Sequence, residues 1–211
     1  MRSVLFATCL LTFSFLSAIV HAEEGYWNQF RGPHADGTSE STGLPLTFGE
    51  GSNEVVWKVP MTGRAWSSPV VWENQLWVTN APEIVNPEGA TNQDSFSKGA
   101  KPLKDPLRLS AVCLDLKTGK VIHDVTIAEV YEPQYTHPTN SLASPTPWIE
   151  EGRIYVHFGT YGTACLDTAT GKKIWENNEL ECHHWRGPGS SPIVHGDLLF
   201  LTFDGQACLE D

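Results

Sequence analysis

Apolar residues in this chain come in short runs of three to four rather than in helical periods. Three pairs of runs open at a Ser-Pro step: Ser68-Pro69, Ser144-Pro145 and Ser191-Pro192. After the first, Val70-Val71-Trp72 passes through Glu73-Asn74 to Leu76-Trp77-Val78-Thr79. After the third, Ile193-Val194-His195 passes through Gly196-Asp197 to Leu199-Phe200-Leu201-Thr202 in the same register from the proline. The second has two extra residues and reaches Ile154-Tyr155-Val156-His157 by way of Glu151-Gly152. β-Branched and aromatic runs joined by Asn, Gly and Asp predict β-hairpins.

A third run follows each hairpin, in near-identical pentads: Ala111-Val112-Cys113-Leu114-Asp115, Thr163-Ala164-Cys165-Leu166-Asp167 and Gln206-Ala207-Cys208-Leu209-Glu210. The first two lead into Asp115-Leu116-Lys117-Thr118-Gly119-Lys120 and Asp167-Thr168-Ala169-Thr170-Gly171-Lys172. In such turns the aspartate accepts backbone N–H groups and glycine takes the positive φ. Fourth strands are predicted through Val121-Ile122-His123 and Lys173-Ile174-Trp175. No helix-length period of 3.6 follows Ala22.

Four antiparallel strands repeating every 43 to 52 residues predict an all-β fold, a partial β-propeller of four-stranded antiparallel blades. The expected organisation is a leader over 23–66, a blade at 67–127 with a polar insertion at 81–106, a blade at 143–177, and a partial third blade at 190–211. Glu54-Val55-Val56-Trp57-Lys58-Val59 reads as a further fourth strand of the ring-closing type. Two complete blades and a partial third do not close a ring, so the residues are expected to be a fragment of a longer propeller.

The first 22 residues stand apart. Arg2, an apolar run from Val4 to Val20 and the small residues of Val20-His21-Ala22 predict a cleavable signal peptide. Without Arg2, 13 Lys plus Arg face 25 Asp plus Glu, a net charge of −12. A surface of that sign repels phosphates, which argues against nucleic acid as a partner. No later apolar stretch approaches the ~18 residues of a membrane span, so a periplasmic or secreted location is expected. Export permits disulfides. Three of the four remaining cysteines occupy equivalent repeat positions, however, where a small buried apolar residue is the expected role.

The pattern Cys165-x-Asp167-x-x-Thr170-Gly171-x-x-x-Trp175 resembles the tryptophan-docking motif of the pyrroloquinoline-quinone (PQQ)-like, quinoprotein-type β-propeller repeat family, with cysteine at a position where alanine is usual. The earlier copy keeps Asp115, Thr118 and Gly119 but replaces the tryptophan by His123. Together with the Ser-Pro openings and the leader Gln29-Phe30-Arg31-Gly32-Pro33, the resemblance covers nearly all of the chain after the signal. It implies a structural role for Asp115, Thr118, Gly119, Asp167, Thr170, Gly171 and Trp175, which join blades. It also implies two functional readings: a binding or scaffold module, or a portion of a PQQ-dependent quinoprotein dehydrogenase. The second requires PQQ with Ca²⁺, a catalytic aspartate and often a vicinal disulfide. No Cys-Cys pair occurs, and the sequence assigns no aspartate to the catalytic role: Asp115 and Asp167 already belong to turns, and other candidates, including Asp36, Asp124, Asp197 and Asp204, have no motif around them.

The richest chemical cluster is Cys182-His183-His184-Trp185-Arg186-Gly187-Pro188, between the second and third repeats. His137, Asn140, His183, His184 and Arg186 form a candidate rim for an anionic or sugar-like ligand. Cys182, His184 and His137 lack the spaced pairs of a metal site, and no metal is expected. Phe30-Arg31-Gly32-Pro33 echoes Trp185-Arg186-Gly187-Pro188, which suggests a reusable turn.

Overall fold

A computed structural model describes residues 26–49, 51–84 and 106–203. The signal segment, most of the insertion and the third cysteine pentad lie outside these residues. The described chain is all-β apart from one 3-10 turn, Gly159–Tyr161, in keeping with a β-propeller-type fold.

The first unit is a five-stranded sheet. Its strands are β1 (Tyr26–Trp27), β2 (Val70–Trp72), β3 (Gln75–Asn80), β4 (Leu107–Asp115) and β5 (Val121–Val130), hydrogen-bonded in that order. The second unit has four: β6 (Trp148–Glu150), β7 (Arg153–His157), β8 (Thr163–Asp167) and β9 (Lys173–Asn177). A hairpin of β10 (Ile193–His195) and β11 (Leu198–Phe200) opens the third. All pairings are antiparallel. Each predicted hairpin is present. β5, by contrast, runs ten residues, well past the three apolar positions that announce it.

Two units share one register. Trp77 pairs with Cys113 and Cys113 with His123; Tyr155 pairs with Cys165 and Cys165 with Trp175. The cysteine thus lies between two rings, where a larger side chain would be crowded. Both sheets carry a β-bulge directly after the cysteine, at Cys113/Leu114 and Cys165/Leu166. The bulge re-aims the strand into the Asp-x-x-Thr-Gly turn.

Two expectations change. Glu54–Val59 carries no strand pairing. It lies instead across the β4–β5 turn, with Trp57 Nε1 donating to the Leu116 carbonyl at 2.9 Å. The added strand of the first unit is β1, from the leader, through Tyr26↔Trp72 and Trp27↔Val71. The ends of the insertion also extend the β3–β4 ladder: Arg108 N–H donates to Pro82 O (2.9 Å), and Ile84 N–H to Pro106 O (2.8 Å).

The core lies between the two large sheets, where Val70, Trp77, Leu109, Ala111 and Cys113 join Ile149, Ile154, Val156, Phe158 and Leu166 in one buried cluster. Each aliphatic side chain removed from water there contributes about 1.5–3 kcal/mol. Polar stitches cross the same seam. Thr79 Oγ1 donates to Ala143 O (3.2 Å), Gln75 Nε2 to Thr168 O (2.9 Å), and Ser68 N–H to Thr146 Oγ1 (2.9 Å). Thr146 N–H in turn donates to Ser191 Oγ (3.0 Å), so the Ser-Pro steps are linked from unit to unit.

Candidate functional site

The two Asp-x-x-Thr-Gly turns have nearly the same geometry. Asp115 Oδ1 accepts Thr118 N–H and Thr118 Oγ1–H, each at 2.7 Å; Asp167 Oδ1 accepts the same pair from Thr170 at the same distances. The threonine hydroxyls come first in holding each carboxyl below its usual range, with the backbone N–H groups adding to it. Gly119 N–H and Gly171 N–H donate back to the aspartate carbonyls at 2.8 Å. Both glycines have positive φ, +70° and +69°. These carboxylates are committed to their turns.

Each turn receives a ring from the preceding segment. Trp57 covers Gly119 and His123 covers Gly171. His123 also stacks on Trp77, with centroids 5.8 Å apart and planes at 25°. Trp175, expected to be the strongest docking residue, is 40% exposed, and every residue of β9 faces solvent. Its intramolecular neighbour is Tyr155, at 6.1 Å.

The cysteines in register are chemically quiet. Cys113 and Cys165 are fully buried. Burial is the main cause that pushes their thiols up, to about 12 and about 11 respectively, so neither forms a thiolate nucleophile at neutral pH.

The rim residues come together unequally. Asn140 Nδ2 donates to Arg186 O (2.9 Å) and Pro188 O (3.2 Å), while its oxygen accepts Ser144 Oγ–H and Ser141 N–H. Its amide is spent on joining two loops. His137 N–H donates to Arg186 O at 3.2 Å, and its ring meets Thr139 Oγ1 at 2.8 Å. His184 is buried, stacked on Phe203 and beside Cys182, whose Sγ is 3.9 Å from Nδ1. His183 is half-buried. Arg186 alone among the five is exposed, its guanidinium 4.4 Å above the Trp185 ring.

Sequence pattern carries no signal for the residue that fixes this loop. Gln134 Nε2 donates to Cys182 O (3.2 Å) and its Oε1 accepts His184 N–H (3.1 Å). A lone glutamine before a Tyr-Thr-His stretch has no spacing to mark it. Among the described residues no group of three or more His, Cys, Asp or Glu is arranged to hold a metal ion. Nor, among them, is any helix long and apolar enough to cross a membrane.

A family model described as outer membrane protein assembly factor BamB matches residues 104–209, which include both Asp-x-x-Thr-Gly turns and the rim loops. No curated protein matches the chain. With the repeated register, the paired bulges and the shared turn geometry, this match places the chain in the PQQ-like repeat family of the BamB type.

Proposed function

We propose that this chain is an exported portion of a β-propeller, two blades and part of a third behind a cleaved signal peptide, that works in the periplasm as a binding or scaffold module. The observation that carries the reading is the use made of its reactive side chains. The Asp115 and Asp167 carboxylates close turns, Cys113 and Cys165 fill the core, and Asn140 ties two loops. The repeat spends its chemistry on holding units side by side, which is what a scaffold needs. The matching family is named for an outer membrane protein assembly factor, and we carry that type of role, holding other proteins in place, to this chain.

The same repeats also build quinoprotein dehydrogenases, but the described residues do not fit PQQ with Ca²⁺. The turn aspartates are already occupied, and among the described residues no carboxylate cluster is arranged for a cation. Reconstitution with PQQ and Ca²⁺ followed by dye-linked alcohol oxidation tests this directly; no turnover is expected, and turnover would overturn the scaffold reading. Export is tested by N-terminal sequencing of the periplasmic fraction, which should begin at Glu23. Retention of residues 1–22 there would sink that part.

A further inference from the structure

One side-chain amide holds both ends of the Cys182-His183-His184 step. Gln134 Nε2 donates to the Cys182 carbonyl at 3.2 Å, and its Oε1 accepts His184 N–H at 3.1 Å. In an extended chain the carbonyl before a residue and the N–H after it point to the same side, so an amide that meets both marks an extended backbone at His183. Side chains two apart then share a face. Cys182 and His184 stand together on it, with Sγ 3.9 Å from Nδ1, within reach of an S–H···N hydrogen bond.

The pair is held from several sides. Thr160 Oγ1 accepts Cys182 N–H at 3.2 Å, and Tyr161, from the same 3-10 turn, accepts Gln134 N–H at its phenol oxygen. His184 is 4% exposed. Its ring stacks on Phe203 with planes at 27°, and its Nε2 edge packs against Gly159, where a Cβ would come within 2.5 Å. Packing on both sides fixes the ring and leaves Nδ1 as the edge presented to the thiol. The other titratable ring beside it is His157 of β7. Burial first pushes His157 down to about 4, so it places no cation next to His184 at neutral pH.

None of this applies to the cysteines of the sheets. Cys113 and Cys165 are fully buried, with thiols pushed up by burial to about 12 and about 11. Cys182 is half-buried, lies in a connection between units and has an imidazole beside it. A thiol attacks as its thiolate, and an adjacent, oriented base that takes the proton supplies that form near neutral pH. Neither Cys113 nor Cys165 is bridged to it, so among the described residues no second thiol stands ready to resolve a mixed disulfide. Half-burial suits a small reactant.

We propose that Cys182, with His184 as its base, is a thiol-modification site that captures a small-molecule disulfide. His184 Nδ1 takes the thiol proton, and the Cys182 sulfur attacks one sulfur of the disulfide. The new S–S bond forms as the old one breaks; the departing thiolate recovers the proton from the imidazolium and leaves as a thiol. Cys182 is oxidised and half of the disulfide is reduced, with no further reactant. The proposal goes beyond the scaffold reading and does not depend on it.

Purified exported protein treated with hydroxyethyl disulfide, then acid-quenched and mapped by peptide mass spectrometry, tests it. The probe is neutral, so the net charge of −11 neither attracts nor repels it. A dithiothreitol-reversible adduct is expected on the Cys182 peptide, with Cys113 and Cys165 unmodified. Followed against pH, the rate at Cys182 should rise through a midpoint below the ~8.5 of an ordinary thiol. His184→Asn should return that midpoint to about 8.5, and continued protection of Cys113 and Cys165 reports that its fold is intact. Should His184→Asn expose them, Gln134→Ala, which loosens the step without removing the base, should move the midpoint in the same direction. Absence of the adduct in wild type, or a wild-type midpoint at or above ~8.5, would overturn the proposal whatever the variants do. An unmoved midpoint in a variant whose sheet cysteines stay protected would overturn it as well.

Discussion

The Trp57 ring occupies the space in which a side chain on Gly119 would have to sit: a Cβ built there would lie 2.8 Å from Trp57 Cδ2. His123 stands in the same relation to Gly171, at 2.9 Å from its Nδ1. The rule in both cases is that a ring ahead of one turn rests on the bare glycine of the next, so absence of a side chain is part of the contact. Where tryptophan is used, its indole N–H also finds the Leu116 carbonyl. In the other pair His123 Nε2 is buried with no hydrogen-bond partner among the described residues.

Trp57→Ala should therefore destabilise the protein more than Trp175→Ala. Removing a fully buried tryptophan costs ~3–5 kcal/mol; for half-buried Trp57, with its one hydrogen bond, about 2–4 kcal/mol is expected. Trp175, with a large part of its ring in water, should lose about 1 kcal/mol or less. Urea denaturation of the two variants ranks them, and a larger loss at Trp175 would mean that its ring is covered in solution.

Glycine positions separate steric from conformational cost. Gly152 and Gly119 have nearly equal positive φ, +74° and +70°, but nothing lies within 4 Å of a Cβ built on Gly152. Gly152→Ala should cost only backbone strain, about 1 kcal/mol. Gly119→Ala adds displacement of the Trp57 ring and should cost at least about 2 kcal/mol. The two melting temperatures decide it: equal shifts would show that the ring moves aside freely. Indole fluorescence of Gly119→Ala should also change, and that of Gly152→Ala should not.

Ser-Pro openings and cysteine pentads made the hairpins and turns legible because their signals are local: β-branched runs, a φ-positive glycine and an aspartate three residues before threonine. β1 was not legible. Two residues, Tyr26 and Trp27, become a strand only because the edge of β2 is there to pair with them, and no local pattern encodes that. Glu54–Val59 shows the reverse case: its strand-like composition announced a strand, whereas the contact it makes is Trp57 lying on the β4–β5 turn. For the rim, sequence grouped five polar residues that the structure separates into a loop clamp (Asn140), a buried ring (His184) and an exposed guanidinium (Arg186). Hydrogen bonds across 46 to 50 residues of chain made that division.

The turn carboxylates set an acid limit. With the threonine hydroxyls holding Asp115 and Asp167 below their usual range, the folded state binds these protons less readily than the unfolded chain. Their contribution is present above the unfolded pKa of about 3.9 and is lost as pH falls through the lower folded values. Asp115→Asn and Asp167→Asn should lower stability at neutral pH and flatten the decline below about pH 4. Acid titration followed by circular dichroism would show it; a wild-type slope in both variants would remove the carboxylates as its cause.

His157 should add a second pH dependence at higher pH. Its ring is buried between strands, with Nδ1 2.8 Å from Thr163 Oγ1 and Phe203 edge-on at 5.3 Å. Burial first, and then the nearby His184 charge, depress it from 6.5 to about 4. The unfolded chain therefore takes up this proton before the folded protein does. The stabilisation is complete above about pH 6.5 and drains away as pH falls toward 4, where the folded ring finally titrates. His157→Asn keeps a group able to reach Thr163 but removes the ionisation. Its stability at neutral pH should drop through lost packing, while the difference between pH 7.5 and pH 4.5 should shrink relative to wild type. Urea midpoints measured at those two values give the comparison. An undiminished difference in the variant would show that this buried imidazole does not control the slope and would shift attention to the remaining histidines.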